Sequence, residues 1–99
     1  PVGVAVIGAG KFGSMFLHQA PRTPGLRVAG IGDLSAPRAR AALTRIGWEE
    51  ERIAVTRITE DSFALIADEV VEVVVEATGV PAAGLRHARH AIRHGKHVV

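Results

Sequence analysis

Three glycines fall within six positions, Gly8-Ala9-Gly10-Lys11-Phe12-Gly13, directly after the apolar run Val2-Gly3-Val4-Ala5-Val6-Ile7. Between a buried strand and a helix, that spacing has a defined use. The first glycine permits the sharp turn, the second lets a ligand's pyrophosphate reach the backbone, and the third lets helix and strand pack closely. An anion placed there lies over the unpaired N–H groups of the helix start, where the macrodipole also favours negative charge. Asp33 follows about 20 residues beyond Gly13, the spacing at which a carboxylate accepts hydrogen bonds from the ribose hydroxyls of an adenosine. The glycine loop alone is a weak signal; with a strand before it, a helix after it and an acid at the end of the next strand, it predicts a dinucleotide site. The alternative is a tight turn beside an ordinary loop aspartate.

Asp33 favours NAD over NADP, because a 2′-phosphate would meet like charge. Ser35 and Arg38 keep NADP open, since a hydroxyl and a guanidinium could receive that phosphate if Asp33 turned aside. Lys11 adds charge at the rim or is simply solvated. Ala77-Thr78-Gly79 closes a later apolar run at the edge of the sheet where ligands of such folds bind, although Thr78 and Gly79 would equally serve as helix cap and turn. Glu76, a carboxylate inside an apolar strand, needs a partner, either near the ligand or at the strand's exposed end. The segment Leu85–His97 looks like a metal site at first, with His87, His90 and His94 at helical spacing. Helical periodicity instead puts Leu85, Ala88 and Ile92 inward and the histidines outward, among Arg86, Arg89 and Arg93, which disfavour a divalent cation. No metal is expected.

The elements that must hold these residues alternate along the chain. Val2–Ile7 reads as a strand covered on both faces. Helical spacing follows, with Phe12, Met15, Phe16 and Ala20 on one face, until Pro21. Thr23-Pro24-Gly25-Leu26 is a turn, with glycine at the corner that needs positive φ. Leu26–Ile31 reads as a second strand, and Ser35 as the cap of a helix carrying Ala39, Ala42, Leu43 and Ile46 inward before Gly47 stops it. Residues 48–52, Trp-Glu-Glu-Glu-Arg, read as a solvated connector and Ile53–Ile58 as a third strand near a sheet edge. A short helix with Phe63, Ile66 and Ala67 inward is capped by Thr59 or Asp61. Val70–Ala77 reads as a buried central strand. Pro81 opens a helix running to His94, and Gly95 ends it before a further strand at Lys96–Val99. The pattern predicts an α/β, Rossmann-type, doubly wound sheet of about five mostly parallel strands with helices on both faces. The last strand has barely begun at Val99 and the chain starts at Pro1 rather than methionine, so a piece of a longer protein is expected, with residues 1–99 as its dinucleotide-binding domain.

Composition narrows the function classes. A content of 47% hydrophobic against 22% charged residues suits a packed core rather than a disordered segment. Net charge is +2, with three phenylalanines, one tryptophan and no tyrosine, too few stacking rings beside basic residues for a nucleic-acid binder. Cysteine is absent, which removes disulfides, thiolate nucleophiles and cysteine metal sites. No apolar run reaches the roughly 18 residues of a membrane span and no secretion signal is visible, so no membrane partner is expected and a cytoplasmic location is the default. The open edges of a truncated sheet make a homo-oligomer a reasonable expectation.

The stretches VGVAVIGAGKFGSMFLHQAPRTPGLRVAGIGDLSAPRARAAL and VVVEATGVPAAGLRHARHAIRHGKHVV resemble the N-terminal NAD(P)-binding domain of the homoserine-dehydrogenase-like oxidoreductases, whose full-length members carry a C-terminal SAF domain. The resemblance covers essentially the whole chain; FLHQAPRTPG and EATGVPAAG are its more particular parts. It implies a reductase using NAD or NADP, some relatives being reductoisomerase-like. It also implies cofactor-binding positions at Gly8, Gly10, Lys11, Phe12, Gly13, Asp33, Thr78 and Gly79, to which the neighbouring Leu34 and Ala77 are added, with a small-molecule substrate bound by a domain beyond residue 99. The corresponding stretch of glyceraldehyde-phosphate dehydrogenases is similar to VVVEATGV at the level of fold only. Two other readings stand beside an enzyme: a regulatory module that senses NAD(H) without reaction, and an S-adenosylmethionine-binding domain, which a three-glycine loop suits less well.

Overall fold

The apolar run after Pro1 does become a strand with both faces covered, and the rest of the fold is arranged around it. The computed structural model describes residues 1–99. Strand β1 (Val2–Ile7) lies at the centre of a five-stranded, wholly parallel sheet formed with β2 (Leu26–Gly32), β3 (Ile58–Thr59), β4 (Val73–Glu76) and β5 (His97–Val98) in the order β3-β2-β1-β4-β5. Alternation along β1 divides the core. Val4 and Val6 face one layer with Ile31, Leu17, Ala39, Ala42 and Leu43, which is where α1 (Lys11–Gln19) and α2 (Ala36–Arg45) pack. Ala5 and Ile7 face the other, with Leu65, Ile66, Val71, Val74 and Ala91, beneath α4 (Ser62–Ala67) and α5 (Pro81–Arg93). Because β1 connects toward one neighbour and β4 toward the other, the turns after these two strands diverge and leave a crevice at the carboxyl edge.

Several local expectations hold. In the turn before β2, Gly25 takes φ +81° and the Leu26 N–H donates to the Thr23 carbonyl at 3.3 Å. Ser35 caps α2 by accepting from the Arg38 N–H, and Asp61 caps α4 by accepting from the Ala64 N–H.

Others are overturned, each for a packing reason. In α1 the inward residues are Gly13 and Leu17, with Ala20 in the 3₁₀ turn Ala20–Arg22 that follows, while Phe12 and Met15 face outward. Gly13 lies directly on the Gly8 carbonyl, and that contact sets the rotation of the whole helix. The expected connector at 48–52 carries a core residue: Trp48 is buried and its indole N–H donates to the Leu17 carbonyl at 2.9 Å, so the ring fills the core while its one polar atom is satisfied. The strand expected at Ile53–Ile58 is split, with Ile53–Val55 ending the helix α3 (Glu50–Val55) and only Ile58 entering β3; Glu50 and Glu51 in the first turn of α3 complement the macrodipole, and β3 keeps only two residues. In α4 the buried pair is Leu65 and Ile66, and Phe63 lies at the surface. The strand expected over Val70–Ala77 contracts to β4, with Val70 exposed and Val71 in the core.

The largest reversal concerns α5. The stripe Leu85, Ala88 and Ile92 was expected inward, yet Leu85 and Ile92 are 53% and 69% exposed, whereas His87 and Ala91 are buried. Gly84, His87 and Ala91 form the face turned to the sheet, because His87 finds the Glu76 carboxylate as a partner, with Gly84 lying over the same side chain.

Candidate functional site

At the carboxyl edge, the turns after β1, β2 and β4 surround a cleft of ≈ 500 Å³. Of the cofactor-binding positions expected from the sequence, Gly8, Gly10, Asp33, Leu34, Ala77 and Thr78 line it, and Arg38 and His87 line it as well. Lys11, Phe12, Gly13 and Gly79 do not; Lys11 and Phe12 are exposed on the outer side of the first turn of α1, Gly13 is packed beneath the loop, and Gly79 turns the chain at φ +71° into α5.

Gly8 sets the geometry of the cradle. Its φ of +98° is one that side chains disfavour, and an added Cβ would come within 2.9 Å of the Ala77 carbonyl and the Thr78 nitrogen. The glycine loop and the β4–α5 turn therefore touch backbone to backbone. Gly10, the N-cap of α1, makes no side-chain cap hydrogen bond, and a Cβ there would have nothing within 4 Å. Open space thus stands over the start of a helix whose first N–H groups have no intrahelical acceptor. The residues present fit a linked pair of phosphates at this point.

Asp33 is buried at the end of β2 and points back to the loop. Its Oδ1 accepts from the Ala9 N–H at 3.2 Å; its Oδ2 accepts from the Ser35 N–H at 3.2 Å and from Arg38 Nη2 at 3.3 Å. The carboxylate therefore ties the glycine loop to the start of α2, with Arg38 lying over it from the solvent side.

Sequence reasoning placed Glu76 only as a group in need of a partner and put His87 on the wrong face. The structure joins them. Glu76 Oε2 accepts from His87 Nδ1 at 2.5 Å, and Oε1 accepts from both the Thr78 N–H and the Thr78 hydroxyl. Burial alone would raise the Glu76 carboxyl; the hydrogen bonds from Thr78 and His87 outweigh it and hold the group below its ordinary value of 4.5. The signal was available, since a carboxylate in an apolar strand is retained only when hydrogen-bonded and His87 lies in the next helix, nearly two turns after Pro81. A group whose carboxyl is lowered on folding stabilises the chain above its unfolded value, and that contribution is lost as pH falls through the lowered one. Melting temperature should therefore fall as pH drops below about 4.5, and Glu76→Gln should show a flatter decline over that range; parallel profiles for the two proteins in a thermal titration would contradict this.

Of the other histidines near α5, His90 contacts α4 and His94 contacts His90. His90 packs edge-on against Phe63 with ring centroids 5.1 Å apart, and the His94 ring lies tilted against His90, with centroids 4.5 Å apart. No three His, Asp or Glu side chains converge to hold a metal, and no helix is long and apolar enough to cross a membrane.

Comparisons with known proteins place the chain by family and by fold. The family model GFO_IDH_MocA, described as "Oxidoreductase family, NAD-binding Rossmann fold", matches residues 2–99. No curated protein matches the sequence. Among solved structures, an NAD-binding protein from Listeria innocua is similar at 30% identity and a TM-score of 0.73, over 98% of this chain and 26% of that one. A myo-inositol dehydrogenase from Lactobacillus casei, in complex with NAD(H) and myo-inositol, superposes at 20% identity and a TM-score of 0.77, over 98% of this chain and 27% of that one. An NAD binding oxidoreductase from Klebsiella pneumoniae does so at 22% identity and a TM-score of 0.70, over 98% and 26%. The chain spans about a quarter of the length of these structures.

Proposed function

The chain belongs to the GFO_IDH_MocA family of oxidoreductases, an NAD-binding Rossmann fold, and from that premise we propose that residues 1–99 bind a nicotinamide dinucleotide along the cleft at the carboxyl edge, as the cofactor domain of a dehydrogenase or reductase. The observation that carries this reading is the open space over Gly10, at an uncapped helix start, beside a carboxylate fixed at the end of the neighbouring strand. When bound, such a cofactor supplies hydride donation or acceptance. The chain's own part is to bind and orient it. Gly8, Gly10 and Gly13 shape the backbone around the pyrophosphate, with Lys11 and Phe12 on the rim of the same turn. Asp33 accepts from the adenosine ribose with Leu34 beside it, and Ala77, Thr78 and Gly79 border the path toward the nicotinamide.

NAD is favoured over NADP. Arg38, the cation nearest a 2′-phosphate in this arrangement, is already paired with Asp33, so the phosphate would have to displace a carboxylate as well as face it. Calorimetric titration should give NADH at least about tenfold tighter binding than NADPH, and Asp33→Ser, which frees Arg38, should narrow or invert the ratio. Tighter binding of NADPH by the parent chain would overturn the cofactor preference, and binding of neither nucleotide would overturn the function.

Within the family, the homoserine-dehydrogenase-like reading rests on FLHQAPRTPG and EATGVPAAG. On that reading the substrate is a small molecule bound by a domain beyond residue 99, and this domain alone binds cofactor without turnover.

A further inference from the structure

His87 is the one buried residue of α5 that carries a titratable group, and the helix turns Leu85 and Ile92 to solvent while burying it. Its imidazole rests against the Phe63 ring at 5.2 Å and meets Glu76, both side chains being nearly covered, at 11% and 13% exposure. An ionised carboxylate only accepts, so the proton of that contact is on His87 Nδ1. The other Glu76 oxygen is occupied by Thr78, whose hydroxyl oxygen in turn accepts from the Val80 N–H at 3.2 Å. A continuous chain of hydrogen bonds thus runs from α5 through β4 to the turn that touches Gly8.

We infer that His87 is a positioning residue for the cofactor: by donating to Glu76 it fixes the carboxylate that holds the Thr78 turn, and through that turn's backbone contact it fixes the glycine loop. This rests on the dinucleotide reading above. Glu76 alone could swing out toward water, and with it the Thr78 amide would lose its acceptor. His87 removes that freedom by holding the second oxygen. The Thr78 turn then approaches Gly8 at a distance no other residue allows, so a displacement of one turn is passed directly to the other.

A filler of the core and a hydrogen-bonding anchor respond oppositely to two substitutions. His87→Leu keeps an apolar body but gives no donor; His87→Asn is smaller and more polar but returns an N–H near the place of Nδ1. We expect His87→Leu to weaken NADH binding about tenfold, the worth of a hydrogen bond to a charged group. Amide hydrogen exchange at Thr78 and Val80, followed by NMR on the chain without nucleotide, should speed up in the same variant. His87→Asn should recover most of both, even where its melting temperature is lower. Thr78→Val removes the hydroxyl's bonds to Glu76 and from the Val80 N–H while leaving the Thr78 amide on the carboxylate, and the His87→Leu/Thr78→Val double variant should bind no worse than the weaker of the two single variants. NADH affinity and Thr78 protection unchanged in His87→Leu, or His87→Asn no better than His87→Leu, would overturn the inference. If His87→Leu does not fold, the decision passes to His87→Gln, whose longer amide puts its N–H near the place of Nε2 rather than Nδ1, and His87→Asn, where loss in the first and retention in the second supports it and any other pattern overturns it. A parent chain that binds neither NADH nor NADPH would sink the functional reading itself, which the parent titration reports separately.

Discussion

Gly10→Val should leave a folded chain that no longer binds a dinucleotide. Gly10 has φ −78° and ψ −151°, an extended conformation open to any side chain, and a Cβ there meets nothing within 4 Å. The cost to stability is that of a poorer N-cap residue, roughly 0.5–1 kcal/mol. For binding, the branched side chain occupies the space over the first N–H groups of α1 and blocks an anion from reaching those donors. An affinity loss of at least ~100-fold, about 2.7 kcal/mol, is expected, with a melting temperature within a few degrees of the parent. Calorimetry with NADH measures the first and a thermal scan the second. Parent-like affinity in a folded variant would place the phosphates elsewhere.

The parts of this fold that were legible in the sequence are those governed by short-range chemistry. The glycine loop, the Gly25 turn and the caps at Ser35 and Asp61 are each fixed by one residue's backbone preference or side-chain oxygen, and β1 by a run that has nowhere to go but inside. The parts that were not legible depend on a distant partner. α5 presents its most periodic apolar stripe to solvent because Glu76, eleven positions before His87, offers a hydrogen bond that periodicity does not register. Trp48 reads as part of a charged connector until the Leu17 carbonyl, 31 positions away, is seen to receive its N–H. The Ile53–Ile58 segment alternates like a strand, yet β2 offers pairing only at Ile31 and Gly32, so the preceding residues close into α3 instead. The same distinction divides the candidate site. Gly8, Gly10 and Asp33 were identifiable from spacing, whereas the anchoring of the Thr78 turn required knowing which face of α5 meets β4.

Gly13→Ala should do the reverse of Gly10→Val, removing stability before it removes binding. In most helices this change is stabilising by about 0.5–1 kcal/mol, because alanine loses less backbone entropy than glycine on folding. Here the sign inverts, since the added methyl would overlap the Gly8 carbonyl oxygen and carbon, and both belong to a turn already held by Ala77 and Thr78. Neither side can yield cheaply. Gly8 cannot retreat without breaking its contact with the β4–α5 turn, and α1 cannot lift without opening the layer that holds Leu17 against Trp48. Overpacking of this kind costs roughly 1–3 kcal/mol, which the gain in helix propensity offsets only in part. For a domain of this size a loss of about 2 kcal/mol lowers the melting temperature by roughly 8–16 °C. Trp48 is the only tryptophan and its N–H is bonded to α1 itself, so its fluorescence should move to longer wavelength if the helix is displaced. Equal or greater stability in Gly13→Ala, with unshifted emission, would mean that α1 can move away from the loop, and the rigidity assigned to the glycine cradle would then be wrong.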